Sequence, residues 1–531
     1  MTIFPAKFTP VLFSARADKL IRLHCESNVL WYNMNQSKKD RIQDDGHDID
    51  NGAFHDLAHD EDHKARFQAP QDLFNSEEGD VDFRSVSWQG AAILIAKLQI
   101  GLGALSLPAT FHVLGFFPGV LCFVILSVIT TVAGYVSGNA RLYYPHMHSI
   151  GDAAELLFGK GAREFIGVIY YIYLALVAGA GMLTTSVALN ALSDHGACTM
   201  VFLAVACGCA FVVGTGFRSL EKVAWISWIG VAGIIFAIWI TAIACLTRDR
   251  PAGAPPGPFN LDIRVLPKAN FTQAMAAVST QLFALGASGT FFSVAAEMKE
   301  PQKFTRALIC GQSFIVITNI AISSIMYGKI GQYLVSPALG SAGVLIKKIS
   351  YGIAFPGLLV TAILWSHIAG KYWFVRILRG TRHLQSNTVT HWAVWVGSMT
   401  VTVVFGFIIV GVVPFFDDFL SLVGALFNPV FTNVFPGLMI LFYLGEKPII
   451  ASDRVQTVET AKTISPMVWL PAAFKAYRNG WKQALALAGA IFLIVSGLFI
   501  IVGGTYSSVL SIQASYDDGS VSGVFSCGDN S

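Results

Sequence analysis

Charge is what this sequence has least of. Only 13% of its 531 residues are Asp, Glu, Lys or Arg, while 54% are hydrophobic. Soluble domains carry about 25% charge, so a string of soluble domains, which length alone would suggest, is excluded in favour of an integral membrane protein built as one helical bundle. The chain also lacks catalytic signatures. No nucleophile is paired with a base, and neither a Gly-rich phosphate loop nor H-E-x-x-H occurs. Gly101–Leu102–Gly103 misses the third glycine of a dinucleotide fingerprint and lies in an apolar run rather than after a strand. Nothing points to an enzyme, a cofactor, a metal or a nucleic-acid partner. Most of the eight cysteines fall inside apolar spans, and there is no C-x-x-C; neither a disulfide framework nor a zinc site is expected. Cys207 and Cys209, two apart on a helix, do not face each other and read as packing residues.

What is present is a series of apolar runs. Eleven follow one another at 88–114, 116–141, 163–190, 198–215, 224–246, 272–298, 304–331, 351–376, 390–413, 416–443 and 482–504, each near the ~20 residues that span a bilayer. The predicted fold is therefore all-α and polytopic. Residues 1–86 read as a cytoplasmic tail. Its first 39 residues lack the apolar core and cleavage site of a secretory signal, leaving a disordered extension or an organelle-targeting helix. Residues 40–82 are rich in acids, as a solvated, disordered block is. Residues 87–504 form the transmembrane domain and 505–531 an extracellular tail. Placing the N-terminus in the cytoplasm puts 18 lysines and arginines in the inner loops and 7 in the outer ones, the asymmetry that sets orientation. The longest outer connection, 247–271, divides the spans five and six, as a 5+5 repeat with one extra helix would. The sequon Asn270–Phe271–Thr272 abuts the membrane, where an acceptor is hard to reach.

Two spans are interrupted. The first carries Gly101, Gly103 and Pro108, and the sixth carries Gly286 and Gly289. A glycine inside a helix costs roughly 1 kcal/mol and a proline about 3. Lipid gives nothing back for that cost, whereas a segment lining a polar cavity presents freed N–H and C=O groups to a ligand. Paired interruptions in two halves mark the substrate site of an inverted-repeat transporter. The expected site comprises Ile100, Gly101, Gly103 and Ala104 from the first break, Phe283, Gly286, Ser288 and Gly289 from the second, and one hydroxyl among Tyr170, Tyr171 and Tyr173, taken as Tyr171. A zwitterion would set its carboxylate on amides of a half-helix N-terminus and its ammonium on freed carbonyls and a hydroxyl such as that of Ser288. No acid lies near either break, which favours neutral ligands over cations.

Ionisable residues inside spans are costly and therefore informative. Lys97, four residues before Gly101, shares a helix face with the first break; its plainer reading is a lysine snorkelling to the interface. His367, with Ser366 beside it, either exchanges a proton near neutral pH or packs as a hydrogen-bonded core histidine. Glu297 ends the second broken span and is expected to pair with a basic residue at an inner gate.

These residues resemble a known family. The G-x-G-A-L-S-L-P core within Ala91–Pro108, the E-M-K-E-P that closes Phe291–Pro301, and Ser421–Leu426 followed by Pro429 and Pro436 are similar to the amino acid/auxin permeases of the amino acid–polyamine–organocation superfamily. The likeness covers roughly residues 85–505, and the acidic tail running into Ser87–Gly90 resembles the fungal neutral amino acid permeases of the methyltryptophan-resistance type. The resemblance implies the leucine-transporter fold with broken helices 1 and 6, and proton-coupled uptake of neutral aliphatic and aromatic L-amino acids at the plasma membrane. Lys97 departs from the acidic residue that related permeases carry near this position. Some relatives of the fold place a lysine ammonium where others bind sodium, and Lys97, near Ser366 and His367, is expected to do so here. A vacuolar exporter of the same family and a non-transporting nutrient receptor are the alternatives. A channel is not indicated, because no ring of like charges is present.

Overall fold

The computed structural model describes residues 84–530 except 145–146, 218–219, 267, 385, 414–415, 454–465 and 518–522, with 447–453 as backbone. The tail before residue 84 lies outside the described residues. Helices account for nearly all the rest. In chain order they are α1 (Trp88–Ile100), α2 (Gly103–Leu114), α3 (Phe116–Tyr143), α4 (Ile150–Phe158), α5 (Lys160–Ser193), α6 (Thr199–Gly216), α7 (Leu220–Thr247), α8 (Phe271–Ala284), α9 (Phe291–Ala296), α10 (Phe304–Ile330), α11 (Val344–Leu378), α12 (Val389–Val412), α13 (Phe416–Leu426), α14 (Phe435–Asp453), α15 (Pro466–Phe474) and α16 (Trp481–Asp517).

Ten spans are long and apolar enough to cross a membrane, or eleven with α1 and α2 as one span bent by 48°. Each apolar run of the sequence coincides with one of them. The all-α, polytopic prediction with interrupted first and sixth spans therefore stands. Among the described residues the sole β pairing is an isolated bridge between Val86 and Met298.

Local chemistry fixes the ends. Ser87 caps α1 by accepting from the Gly90 amide, Ser149 and Asp152 form a capping box on α4, and Asn270 with Gln273 forms another on α8. Each satisfies amides that a helix N-terminus leaves without partners. Burial then sorts the spans. The Phe271–Ala296 span has 89% of its apolar window inside the protein, against 28% for α16, which therefore faces lipid. α11 runs through the middle, packed along α5 and α7. The α7–α11 approach is close because small residues meet: a Cβ on Gly357 would sit 2.5 Å from the Gly230 carbonyl oxygen. Within a bilayer such small-residue contacts replace the hydrophobic drive that water supplies elsewhere.

One expectation is overturned. Cys198, at the start of α6, is disulfide-bonded to Cys527 in the C-terminal segment, 329 residues away. Spacing gave no hint of it, since one cysteine at the start of an apolar run and another in the C-terminal tail carry no motif. The free cysteines Cys122, Cys207, Cys209, Cys245 and Cys310 all lie in helices, Cys207 and Cys245 buried and Cys310 exposed.

Candidate substrate site and inner gate

The two interrupted spans meet at their interruptions. Between α1 and α2 the chain turns at Gly101–Leu102, and between α8 and α9 it runs through Leu285–Ala287 and a tight turn at Ser288–Thr290. A Cβ on Gly103 would lie 2.4 Å from the Ala284 Cα, and one on Gly101 would lie 2.5 Å from the Thr361 Oγ1. Only glycine lets the first break touch both α8 and α11. The helical cost of these glycines is thus offset by backbone contact.

Carbonyls freed at the second break have partners. The Leu282 carbonyl accepts from the Asn428 amide at 3.1 Å, and the Gly286 carbonyl accepts from the Tyr173 hydroxyl. Ser288 Oγ lies 2.8 Å from Thr432 Oγ1 and donates to the Phe431 carbonyl at 3.3 Å. The ring of Tyr170 packs against Gly289 and, edge-on at 5.2 Å, against Phe431. The third wall is therefore a π-helical turn, Val430–Val434, with Asn428 and Pro429 just before it.

Of the expected residues, Gly101 and Gly103 at the first break and Phe283, Gly286, Ser288 and Gly289 around the second are brought together here, with Ile100 and Ala104 buried on either side of Gly101–Gly103. Tyr171 is elsewhere: its hydroxyl is 3.1 Å from Thr402 Oγ1 of α12 and its ring meets Trp373 edge-on at 5.3 Å. Tyr170 and Tyr173 face the break instead. Three tyrosines within four positions point in different directions on a helix, and the sequence alone does not say which way α5 is rotated. Asn428, Phe431 and Thr432 went unpredicted, although Asn428 and Asn433 flanking Pro429 within an apolar run were the available signal.

Lys97 is wholly buried, so it does not snorkel. Its Nζ donates to the Gly357 carbonyl at 2.8 Å and to Thr361 Oγ1 at 2.6 Å, both on α11, and its stem lies against Gly230 of α7. Among the described residues no carboxylate pairs with it. The ammonium thus joins the N-terminal half of the first span to α11 through oxygens alone, a set of oxygens that also suits a small cation. Ser366 and His367 are not part of this contact. At ~100° per residue they are turned away from Thr361; His367 Nδ1 is 3.4 Å from the Gly214 carbonyl, and its ring meets Trp395 edge-on at 5.3 Å.

Glu297 has the basic partner expected of it. Lys371 Nζ is 2.7 Å from its Oε1, with the two side chains 8% and 3% exposed, and the Leu220 amide at the head of α7 donates to its Oε2 at 3.4 Å. One carboxylate thereby links the end of α9 to α11 and α7. The main chain adds a link: the Val86 amide donates to the Glu297 carbonyl at 3.0 Å, and the Lys299 amide to the Val86 carbonyl at 2.9 Å. Beside this pair is a cavity of about 70 Å³ bordered by Tyr170, Ser293, Glu297, Lys371 and Tyr372. Its mouth carries Asp152, paired with Arg379 and Arg163, and His148. Burial works against the Asp152 charge, but Arg379 and the His148 amide together hold the carboxyl below its ordinary range. Burial, then Arg141, push the His148 imidazole down to about 3.

A bundle of ten or eleven membrane spans, two of them interrupted where they meet, has the architecture of a membrane transporter. The sequence assigns it more closely. Residues 84–472 match the model of the transmembrane amino acid transporter protein family, and the chain belongs to that family. It is 30% identical to a transmembrane transporter of Fusarium pseudograminearum (strain CS3096) over 463 residues, which is 87% of this chain and 91% of that one. It is 27% identical over 461 residues to the N amino acid transport system protein of Neurospora crassa, covering 85% and 90%. Among solved structures it is similar to MhsT in complex with L-phenylalanine, at 15% identity and a TM-score of 0.49 over 77% of this chain and 98% of that one. It is also similar to the nucleobase-cation-symport-1 family transporter Mhp1, at 14% identity and a TM-score of 0.49 over 84% and 95%.

Proposed function

We propose that the protein is a secondary active transporter that carries neutral L-amino acids together with protons, by alternating access around the two broken spans. The observation that carries this reading is the junction of the breaks. Glycines 101, 103, 286 and 289 bring the main chain of the two breaks against α8, α11, Asn428 and Tyr170, hydroxyls of Ser288, Thr432 and Tyr173 lie at the second break, and neither 97–110 nor 283–296 contains an Asp or Glu. A zwitterion finds both halves of its charge complemented by helix ends, carbonyls and hydroxyls, whereas a cationic side chain finds no counter-charge. The name of the Neurospora crassa relative supports an amino acid as the substrate class.

In this reading the spans form an inverted 5+5 repeat, and the Lys97 ammonium, held by Gly357 and Thr361, stands where a sodium ion would otherwise bridge the first span and α11. The Glu297–Lys371 pair is the inner gate, and its carboxylate is the group positioned to take a proton as the gate opens. The N-terminus is cytoplasmic and the C-terminus outside, at the plasma membrane. The excess of basic residues in the inner loops supports that orientation, as does the Cys198–Cys527 bond, since disulfides persist on oxidising sides of membranes.

The test is uptake of labelled neutral amino acids into proteoliposomes under an imposed inward proton gradient without sodium. Accumulation above equilibrium that an uncoupler abolishes is expected. Uptake that requires sodium would overturn the coupling assignment, and saturable binding without flux would overturn transport altogether.

A further inference from the structure

We propose that the C-terminal segment 523–530 is a covalent strap that locks α5, α6 and α12 together at the face opposite the Glu297–Lys371 pair and ties the last helix to them. Chain termini are loose unless something holds them, and this one is held at four successive points. The Phe525 amide donates to the Gly411 carbonyl of α12 at 2.8 Å. Cys527 is bonded to Cys198 of α6. The Gly528 carbonyl accepts from Thr199 Oγ1 at 2.6 Å, and the Asn530 Oδ1 accepts from the Asn190 amide of α5 at 2.6 Å. Asn190 donates from the same nitrogen to Thr199 at 2.8 Å, so α5, α6 and the strap share one buried hydrogen-bond node.

The seat is built for its occupant. The Phe525 ring lies on Gly411 and beside Phe407, and a Cβ at Gly411 would be 2.2 Å from that ring. Phe525 itself has φ +52°, a left-handed conformation that a bulky side chain keeps only when its surroundings impose it. The helix that leads into the segment is anchored as well. Tyr516 of α16 donates to the Val412 carbonyl at 3.1 Å, and Ser511 and Ser515 donate to Asp418 at the head of α13. Since α16 otherwise packs on α8, α13 and α14, the strap connects that group of helices to α6 by a covalent bond and to α5 and α12 by hydrogen bonds. Unseating it frees the two groups to shift independently, so the geometry that one half-turnover prepares for the next is lost and the cycle slows. This last consequence rests on the transport reading; the strap itself does not.

The experiment compares the full chain with Cys198→Ser/Cys527→Ser and with Gly411→Ala, which leaves the sulfurs untouched. Gly397→Ala, on the same helix with open space at its Cβ, is the control. An impermeant maleimide, mapped by peptide mass, should label neither Cys198 nor Cys527 until a phosphine reductant is added. The double serine variant and Gly411→Ala should both lower the melting temperature of the solubilised protein and slow initial uptake in proteoliposomes several-fold, while Gly397→Ala matches wild type. Labelling of both cysteines without reductant, or wild-type melting and uptake in both variants, would overturn the strap. If the wild-type protein carries no amino acid at all, it is the transport reading that fails, and labelling and melting still decide the strap.

Discussion

Breaking the Glu297–Lys371 pair from one side should be far more damaging than deleting both members. At 2.7 Å and an effective dielectric near 20, the Coulomb attraction is about 6 kcal/mol, most of it offset by the cost of bringing two charges out of water. Glu297→Gln removes the carboxylate 2.7 Å from the Lys371 ammonium, which stays 8% exposed inside the protein, and should cost about 3–5 kcal/mol. Lys371→Met takes the ammonium from the carboxylate, which among the described residues keeps the 3.4 Å donation from Leu220, and should cost a similar amount. The double variant Glu297→Gln/Lys371→Met removes both charges and should return to within about 1–2 kcal/mol of wild type, since a buried pair replaced whole is often nearly neutral. Melting of the solubilised protein measures the stability cycle, and initial uptake in proteoliposomes reports whether the gate needs the charges as well as the packing. A coupling energy of several kcal/mol with uptake lost in all three variants is the expected result. If the two single losses simply add in the double variant, the side chains do not act as a pair and the gate assignment fails.

Three further outcomes follow from the same geometry. Lys97→Met should reduce gradient-driven accumulation at least about tenfold, or ~1.4 kcal/mol, whereas full uptake with unchanged pH dependence in Lys97→Ala would end its role as a fixed cation. Gly286→Ala puts a Cβ 2.0 Å from the Asn428 Nδ2, forcing that side chain off the Leu282 carbonyl; melting should register about 1–3 kcal/mol, with uptake lost, and Asn428→Ala in the same chain should recover part of the stability. His148 takes up its proton near 6.5 when unfolded but only near 3 when folded, so the unfolded state binds more protons between those values and stability falls as the pH drops through them. From neutrality to pH 5 this contributes about 2 kcal/mol, and a His148→Gln variant whose melting falls as steeply as wild type over that range would refute it.

The spans and the two interruptions were legible in the sequence because a bilayer imposes long apolar runs, and an interruption inside one stands out against that background. The pairing of Glu297 was legible for a related reason: a carboxylate at the end of a span needs a cation. Rotation was not legible. Tyr170, Tyr171 and Tyr173 are equally apolar and equally hydroxylated, and only packing against Phe431 and Trp373 decides which of them faces Gly286. The same holds for Ser366 and His367, which share α11 with Thr361 but not its face. Asn428 and Thr432 escaped because their importance depends on a turn that opposes α8 across the bundle. The Cys198–Cys527 bond escaped because its partners are 329 residues apart and nothing local relates them.

The bridge between Val86 and Met298 removes a degree of freedom. Val86 donates its amide to the Glu297 carbonyl and accepts from the Lys299 amide, so α1 and α9 are a single lever carried on two fulcra, one at Gly101–Leu102 and one at Leu285–Ala287. A lever with two fulcra has one axis. Under the alternating access proposed above, α1 and α9 would therefore swing along one path, and a push on Val86 would reach both breaks at once.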